Sequence, residues 1–514
     1  MDTDNAAPPP RGIGWAVALA MVAAAWLRLA GLGGLPLWCD ELATLQRLAL
    51  PFGEHVKAMA GNHPLYEILM RFWMPPDGSD AWMRLPSAVA GVAAVALTWV
   101  LTRTMGWRVG LVATWLMALS PLHVMYSRIA RAYSLACLLA LASNLALLWM
   151  IRSRRAVAVV AYVVATALMI YSNLVAVSIW AAQIIFLGWC FRENLRRAWV
   201  LVTVNLAVLM LIAVWLTHHL WGAVTWGAET TYTAGQLGRL VKACYIPMTL
   251  CLGETVNPVN LWVIVPALLA FGGALVYGAV LIVRERCDIG VLFLTQIAAG
   301  LLMAVAFPAV APKHLAILLP AWCGVAAVGL ALVDRPRVAA VMGVAVAAVS
   351  MASLFNYLNA REFADADMVT PWREMAATVE ANRQHPALVL VGYRPDEGAY
   401  WMFRRYYGGR AEVERLKVDD WRAAVERNLA AGTEVWLLLH DGDPCEDVER
   451  WLAAAKVDVR QWNFQDEEHT LKGLREGWSS RHKYHSPLYR LYVIHAPPAA
   501  GAKPGEGVAN AARL

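Results

Sequence analysis

Two adjacent acids, Asp40 and Glu41, directly follow the first long apolar stretch of the chain, in the sequence Pro36-Leu-Trp-Cys-Asp-Glu41. A carboxylate near a surface can act as the general base for a hydroxyl nucleophile, or hold a divalent cation beside a phosphate. The same residues could instead begin a helix, with Asp40 as its N-cap and Glu41 in its first turn. The two residues alone favour neither interpretation.

Two arginines, Arg128 and Arg131, stand three residues apart in Tyr126-Ser-Arg-Ile-Ala-Arg-Ala-Tyr133, a short connection between apolar stretches. Side chains at this spacing share one face of a helix, and two guanidinium groups there suit the oxygens of a phosphate. The alternative for either arginine is a head group that snorkels toward water. Lys313-His314 forms a second basic point just before a later apolar stretch.

Histidines supply the remaining candidates. His63, in Gly61-Asn-His-Pro-Leu-Tyr66, could orient a substrate, assist proton transfer or be structural. The pair His218-His219 has no HExxH or carboxylate context, so we assign no metal to it.

Composition places these residues in a membrane protein. Of the 514 residues, 59% are hydrophobic and 16% charged, and the mean hydropathy is +0.48, far from the balance of a soluble domain. The net charge of +6 comes from short basic clusters between apolar stretches, which a bilayer explains. We therefore expect membrane lipids as partners and exclude nucleic acid.

About eleven apolar stretches have the length of roughly 20 residues that crosses a bilayer. Arginines cluster in every second connection, which the positive-inside rule places in the cytoplasm. The predicted topology has a cytoplasmic N-terminus, a retained first helix and an outer C-terminal domain. The predicted spans are residues 12–30, 86–102, 109–126, 133–151, 156–171, 174–191, 198–217, 261–283, 289–307, 314–333 and 337–355.

Three domains follow from this pattern. Residues 1–355 form a transmembrane catalytic domain, 356–496 an extracytoplasmic α/β domain and 497–514 a disordered tail. Outer loops at 31–85 and 218–260 carry Trp and Tyr at helical spacing, so they are expected to form a roof over the membrane surface.

The C-terminal domain alternates helix-like and strand-like segments, which predicts a partly parallel sheet. The predicted helices are 372–382, 419–430 and 446–455, and the predicted strands are 387–392, 434–439 and 488–495. Eight cysteines include no CxxC pair, and a disulfide stays open among Cys39, Cys244, Cys251 and Cys445.

Taken in order, the motifs of this chain resemble those of glycosyltransferase family 39 in the GT-C superfamily, which comprises protein-mannosyltransferase-like and lipid A aminoarabinose-transferase-like membrane enzymes. Single motifs are weak, but their order and spacing are specific, and they cover nearly the whole chain. They are Leu27-Arg-Leu with Leu37-Trp-Cys-Asp-Glu41, His63-Pro-Leu-Tyr66, Arg84-Leu-Pro-Ser-Ala-Val-Ala-Gly91, Ser120-Pro-Leu-His, Tyr126 to Ser134, Pro312-Lys-His-Leu and Asp367 to Arg373.

The resemblance implies an α-helical polytopic membrane protein of the GT-C type with a C-terminal soluble α/β domain. Such an enzyme takes a sugar from a polyprenyl-phosphate donor and gives it to a lipid, glycan or protein acceptor on the outer side, with inversion. Asp40 would deprotonate the acceptor hydroxyl, with Glu41 in support. The remaining site residues would bind substrate and phosphate, and they are Arg128, Arg131 (the better candidate of the pair), Lys313, His63, Tyr66 and His314.

Two departures from the family pattern matter. Some relatives use an acid just before the His-Pro of the first loop to hold a metal, and here Asn62 stands in its place. We therefore assign no metal, and a divalent cation stays open as a cofactor. The Arg-Tyr that relatives carry before the tenth span is Lys313-His314 here, which keeps the charge but loses the guanidinium fork.

A multi-span transporter or flippase of lipid-linked sugars is the alternative function, because it too would carry buried charges. No convincing inverted repeat of helix groups supports it. A polymerase or ligase would carry its main outer loop later in the chain. The topology predicts a bacterial inner membrane with a periplasmic or extracellular active face.

Overall fold

The structure is a computed structural model. It describes residues 9–59, 63–75, 78–153, 155–192, 199–213, 215, 217, 236–256, 261–285, 287–307, 310–359, 370–384, 386–392, 398–416, 421–440, 445–455, 457–468 and 485–495. The chain divides into two compact units. The first holds the described residues up to 359, and the second those from 370 onward.

Helices build the first unit. A π-turn at Leu268–Gly272 joins the helix Leu261–Ala267 to the helix Gly273–Glu285. The described helices are α1 (Ile13–Leu29), α2 (Cys39–Leu48), α3 (Phe52–Ala58), α4 (Pro64–Trp73), α5 (Asp80–Thr102), α6 (Trp107–Leu119), α7 (Pro121–Ser127), α8 (Tyr133–Ser153), α9 (Ala156–Ser172), α10 (Ala176–Phe191), α11 (Trp199–Ala213), α12 (Gln236–Leu252), α13 (Leu261–Ala267), α14 (Gly273–Glu285), α15 (Asp288–Ala306), α16 (Pro312–Leu315), α17 (Leu319–Ala331) and α18 (Pro336–Leu358).

The predicted spans coincide with apolar helices of the described chain. Six helices are long and apolar enough to cross a membrane, and seven if one bent pair is a single span. The bent pair is α6 and α7, which meet at 56° because Pro121 cannot continue α6 and instead begins α7. The other predicted spans, on α1, α9, α10 and α11, are shorter apolar helices. The number that crosses the bilayer stays a prediction.

Many of these helices present apolar side chains outward, as lipid-facing helices do. On α1, Ala20 and Ala24 are buried, whereas the opposite face exposes Trp15, Leu19, Val22 and Trp26. This spacing of three and four residues is that of one helical face. The pattern supports the membrane interpretation of the composition.

Polar side chains link three helices inside the first unit. The amide oxygen of Asn144 on α8 accepts hydrogen bonds from Gln183 on α10 at 2.8 Å and from Gln296 on α15 at 2.7 Å. Such bonds hold apolar helices together where a hydrophobic driving force is weak.

Three short helices, α2, α3 and α4, form the segment between α1 and α5, which the sequence predicts to be an outer loop. The ten residues of α4 extend about 15 Å, too short to cross a bilayer. This length fits the interfacial position expected for Leu65–Trp73. In the second predicted outer loop, residues 218–235 and 257–260 lie outside the described residues.

The second unit has a five-stranded sheet in the order β2-β1-β3-β5-β4. Strand β1 runs parallel to β2 and β3, whereas β5 runs antiparallel to β3 and β4. The sheet is thus partly parallel, as predicted. Its strands are β1 (Ala387–Val391), β2 (Glu412–Arg415), β3 (Glu434–His440), β4 (Asp458–Glu468) and β5 (His485–His495), and its helices are α19 (Trp372–Asn382), α20 (Gly398–Tyr406), α21 (Trp421–Ala430) and α22 (Cys445–Ala455).

The predicted helices and strands of this unit are all observed, within three residues at each end. Sequence reasoning missed α20, β2 and β4. Strand β2 lies at the sheet edge and β4 at the other, where few buried positions impose a hydrophobic pattern. The predicted tail at 497–514 lies outside the described residues.

Small residues allow α14 and α17 to pack closely. A Cβ atom added at Gly278 would collide with the carbonyl oxygen of Val325, and one added at Gly329 would collide with that of Ala274. Small residues at the contact let two membrane helices bring their backbones together.

Gly278→Ala is expected to lower the free energy of unfolding by about 1–3 kcal/mol through overpacking, although alanine is the better helix former. The matched control is Gly343→Ala on α18, where an added Cβ meets nothing within 4 Å. Thermal unfolding of both variants in detergent measures the difference. Equal Tm values would show that the two backbones are not in contact.

Candidate active site

Glu41 is a fully buried carboxylate whose two oxygens are occupied by hydrogen bonds. Arg84, at the start of α5, donates from Nε to Oε1 at 2.8 Å and from Nη2 to Oε2 at 2.6 Å. The backbone amides of Trp38 and Ala130 donate to Oε2 and Oε1 at 3.2 and 2.6 Å. A carboxylate that accepts four hydrogen bonds from the protein stabilises the local structure, so the geometry favours a supporting role for Glu41.

The helix that carries both acids begins one residue before Asp40. Its N-cap is Trp38, and Asp40 and Glu41 both lie in its first turn. The alternative in which Asp40 is the N-cap is therefore excluded, although Glu41 does lie in the first turn of the helix, as that alternative had it. The Glu41 side chain accepts the Trp38 amide, as the third residue of a capping box does.

Asp40 lies beside two cations from distant parts of the chain. Its Oδ2 is 3.2 Å from Nζ of Lys313 and 3.9 Å from Nη2 of Arg131. The Asp40 side chain remains 32% exposed. Burial raises the pKa of Asp40, but Arg131 and Lys313 outweigh this effect and lower the pKa to about 2. Asp40 is thus ionised and still accessible.

Lys313 and Arg131 are both held at this carboxylate. The Lys313 ammonium lies 4.7 Å from the centre of the Trp38 ring, a cation–π contact. Arg131 donates from Nη1 to the Asp40 carbonyl at 3.4 Å and to the Thr44 hydroxyl at 3.3 Å. Both cations are therefore fixed before any substrate binds.

Tyr66 lies behind Arg131. It is 2% exposed, and its hydroxyl is 2.7 Å from the Ser87 hydroxyl. Because Ser87 donates its one proton to the Arg131 carbonyl at 2.9 Å, Tyr66 is the donor to Ser87. Burial raises the pKa of Tyr66. The geometry is that of a residue that positions Arg131 rather than one that contacts a substrate.

Arg128 has a different environment from Arg131. Helix α7 ends before Arg128 and α8 begins after Arg131, so the expectation that the two share one helical face is wrong. Arg128 donates to three carbonyl oxygens at the end of α1, those of Leu27 (3.0 Å), Ala30 (2.7 Å) and Gly31 (2.9 Å). It satisfies the carbonyl groups that a helix end leaves unpaired.

His63 and His314 meet at the Tyr133 ring, with centroid distances of 5.7 and 6.2 Å. His314 Nδ1 accepts the Ala311 amide at 3.0 Å, which leaves Nε2 as the protonated nitrogen of a neutral ring. Burial, together with the charge of Arg131, lowers the pKa of His63 well below its ordinary value. Both rings are therefore neutral groups at the site.

Sequence reasoning missed Glu67 as a site residue. This buried carboxylate accepts hydrogen bonds from the Thr44 hydroxyl at 2.9 Å and from Arg47 at 2.6 Å. His55 Nε2 lies at 3.4 Å and Arg131 Nη1 at 4.0 Å. Glu67 thus connects α2, α3 and α4 next to Arg131, one of the two cations at Asp40. The sequence feature that could have indicated it is its position directly after the His-Pro-Leu-Tyr motif.

The two adjacent acids do not fit a divalent cation in this arrangement. Glu41 already accepts four hydrogen bonds, and Asp40 faces two positive charges that a metal ion would have to displace. Asn62, which replaces the metal-binding acid of some relatives, lies outside the described residues.

The disulfide left open by the sequence is not formed among the described cysteines. Cys39, Cys244 and Cys251 are free thiols. The side chain of Cys445 lies outside the described residues.

Solved structures share this arrangement of helices. ArnT from Cupriavidus metallidurans in the apo state matches with a TM-score of 0.55 and 12% identity, over 96% of this chain and 100% of that one. The same protein bound to undecaprenyl phosphate matches with a TM-score of 0.56 and 10% identity, again over 96% of this chain and 100% of that one. An oligosaccharyltransferase from Archaeoglobus fulgidus has a TM-score of 0.46 and 11% identity, over 83% of this chain and 69% of that one.

The chain has the GT-C fold of membrane glycosyltransferases. The predicted fold class, a helical polytopic membrane protein of the GT-C type with a C-terminal α/β unit, is confirmed. No protein-family model matches the sequence, and no curated protein sequence matches it.

The two adjacent acids are expected to differ in their effect on stability. Glu41→Gln leaves the buried Arg84 without its counter-ion, which costs about 3–5 kcal/mol. Asp40→Asn also removes a stabilising charge, but this group is 32% exposed, so its loss of Tm is expected to be clearly smaller than that of Glu41→Gln. Thermal unfolding of the purified variants in detergent at pH 7 checks this, and equal losses would contradict the assignment of Glu41 as the anchor.

Proposed function

We propose that the chain is a membrane glycosyltransferase that moves a sugar from a polyprenyl-phosphate-linked donor to an acceptor at the outer face of the membrane. One observation carries the proposal. In a GT-C fold, the ionised and partly exposed Asp40 lies beside Lys313 and Arg131. A base for the acceptor and cations for the leaving phosphate are the two components that this reaction needs.

Asp40 accepts the proton of the acceptor hydroxyl as the hydroxyl oxygen attacks the anomeric carbon. The bond from that carbon to the phosphate oxygen breaks, and its electron pair leaves with the phosphate, which becomes a polyprenyl phosphate monoester. Lys313 and Arg131 stabilise the charge that develops on this oxygen, so no strong general acid is needed. A single displacement inverts the anomeric configuration.

The donor phosphate and Asp40 compete for the same cations. With its pKa lowered to about 2 by Arg131 and Lys313, Asp40 is a weak base in the donor-free protein. A phosphate that draws Lys313 to its own oxygens raises the pKa of Asp40 toward the ordinary value. Donor binding therefore activates the base.

A comparison supports the proposed lipid carrier, and the charge pattern of the chain supports the proposed location. ArnT, whose fold this chain shares, was solved with undecaprenyl phosphate bound, which supports a polyprenyl carrier. The arginine clusters support a cytoplasmic N-terminus and a periplasmic or extracellular C-terminal domain in a bacterial inner membrane. Membership of glycosyltransferase family 39 is part of this proposal and rests on the ordered motifs, while the acceptor is a lipid, glycan or protein.

Asp40→Asn is expected to slow glycosyl transfer at least ~100-fold, the magnitude of general-base catalysis. The measurement is consumption of a pool of radiolabelled polyprenyl-phosphate sugars by the purified protein in detergent. Glu54→Gln, which changes an exposed acid of the same outer segment, is the matched control and should leave the rate unchanged.

If Asp40→Asn and the wild type consume the donor equally, the base lies elsewhere. If the wild type consumes none, the transferase proposal fails. Movement of an intact lipid-linked sugar across proteoliposomes would then favour the transporter or flippase.

Lys313→Met is expected to lower kcat/KM for the donor by about 10- to 100-fold, because one charge-assisted contact to phosphate is lost. Lys313→Arg keeps the charge and should retain most of the activity. The Met variant also removes one cation that lowers the pKa of Asp40, so the acid limb of its kcat/KM profile should move to higher pH. An unchanged kcat/KM in the Met variant would exclude Lys313 from phosphate binding.

A further inference from the structure

A third acid, Glu254, lies in a buried turn after α12. The turn is set by Gly253, whose φ of +75° favours glycine. Thr255 donates from its hydroxyl to the Ser353 carbonyl at 2.8 Å, and Asn356 donates to the Thr255 carbonyl at 2.9 Å. Glu254 is thus held in one place by α18.

Among the described residues, Glu254 has a neutral hydrogen-bond partner and no cation in contact with its carboxylate. The Tyr126 hydroxyl donates to its Oε2 at 2.5 Å, and Glu254 is 6% exposed. Burial raises the pKa of Glu254, while the Tyr126 hydrogen bond and the charge of Lys313 oppose that rise. A carboxylate can accept at both of its oxygens, so it can take a further donor.

Aromatic rings connect Glu254 to the cations. Tyr126 contacts Tyr133 at a centroid distance of 4.9 Å, and Tyr133 contacts His63 and His314. Lys313 is adjacent to His314 in the sequence. Its positive charge lowers the pKa of both Asp40 and Glu254. The ring contacts therefore link the surroundings of Glu254 to those of Lys313 and Asp40.

Cations and an acid connected in this way suit a ligand that carries a phosphate and polar groups on one small molecule, as a glycosyl phosphate does. The sugar of such a donor is joined directly to its phosphate, so a phosphate on Lys313 brings the sugar ring within reach of a neighbouring acid. Aromatic faces and a few fixed polar groups are what small-molecule sites use to orient a ligand. A donor group on the sugar would complete the hydrogen bonding of the acid.

We propose that Glu254 binds the transferred sugar, accepting a hydrogen bond from a hydroxyl or ammonium group of that sugar while Lys313 and Arg131 hold the phosphate. The inference rests on the proposed transferase function and adds a residue that selects the donor sugar. Tyr126 is its positioning residue, because it orients Oε2.

The test uses the full-length protein in detergent, the donor identified from the pool, and analogues of that donor lacking one hydroxyl or amine each. Glu254→Gln is expected to raise KM about tenfold or more, with kcat less affected. One analogue should raise the KM of the wild type most, because it lacks the group that contacts Glu254. With Glu254→Gln, the same analogue should raise KM no further, because the missing group and Glu254 form one contact.

Further variants distinguish the sugar group and guard against misfolding. If the sugar group is a hydroxyl, Glu254→Gln keeps a hydrogen-bond acceptor and should have a lower KM than Glu254→Ala. If the sugar group is an ammonium, the two variants should have equally high KM values. Tyr126→Phe leaves Glu254 in place and should raise KM for the same donor group. Glu434→Gln changes a buried, hydrogen-bonded acid of the second unit and is the control expected to leave KM unchanged.

The outcomes separate the two proposals. If the wild type transfers a sugar, and folded Glu254→Gln and Tyr126→Phe keep the KM and the analogue ranking of the wild type, Glu254 is structural and the transferase stands. If the wild type uses no donor, the transferase proposal fails and this inference fails with it.

Discussion

The ion pair between Glu41 and Arg84 is the interaction on which the rest of the site depends. Arg84 also donates to the carbonyl oxygens of Leu35 and Pro36, both at 2.8 Å, and Glu41 accepts the amide of Ala130. One pair therefore joins the segment after α1, the start of α5 and the turn before α8. Burying both charges costs several kcal/mol of desolvation, which the attraction between the two charges offsets only together with these additional hydrogen bonds.

This anchoring explains how neighbouring acids come to differ. Successive residues of an α-helix point about 100° apart, so when Glu41 is fixed toward Arg84, Asp40 is directed elsewhere, and here it meets Lys313 and Arg131. Two cations and one ionised carboxylate leave one positive charge at a partly exposed point. An anionic phosphodiester is attracted to such a point.

Sequence reasoning succeeded where one physical rule decides the outcome. Bilayer thickness sets the length of an apolar stretch, so the apolar helices were predictable, although hydropathy could not show the break that Pro121 makes. It failed where partners come from distant residues. Arg128 and Arg131 are the same residue type, yet one faces carbonyl groups and the other Asp40, and Glu254 is a lone acid whose Tyr126 partner is 128 positions away.

In the reaction proposed above, the competition between Asp40 and the donor phosphate for the same cations also bears on product release. Transfer converts a phosphodiester with one negative charge into a monoester that carries up to two, so Lys313 and Arg131 hold the product phosphate more strongly than they held the donor. Asp40 is neutral just after it takes the acceptor proton. Once it loses that proton, it is again an anion within 4 Å of both cations. It can then replace the phosphate, so the contact that weakens the base before donor binding also helps the spent carrier leave.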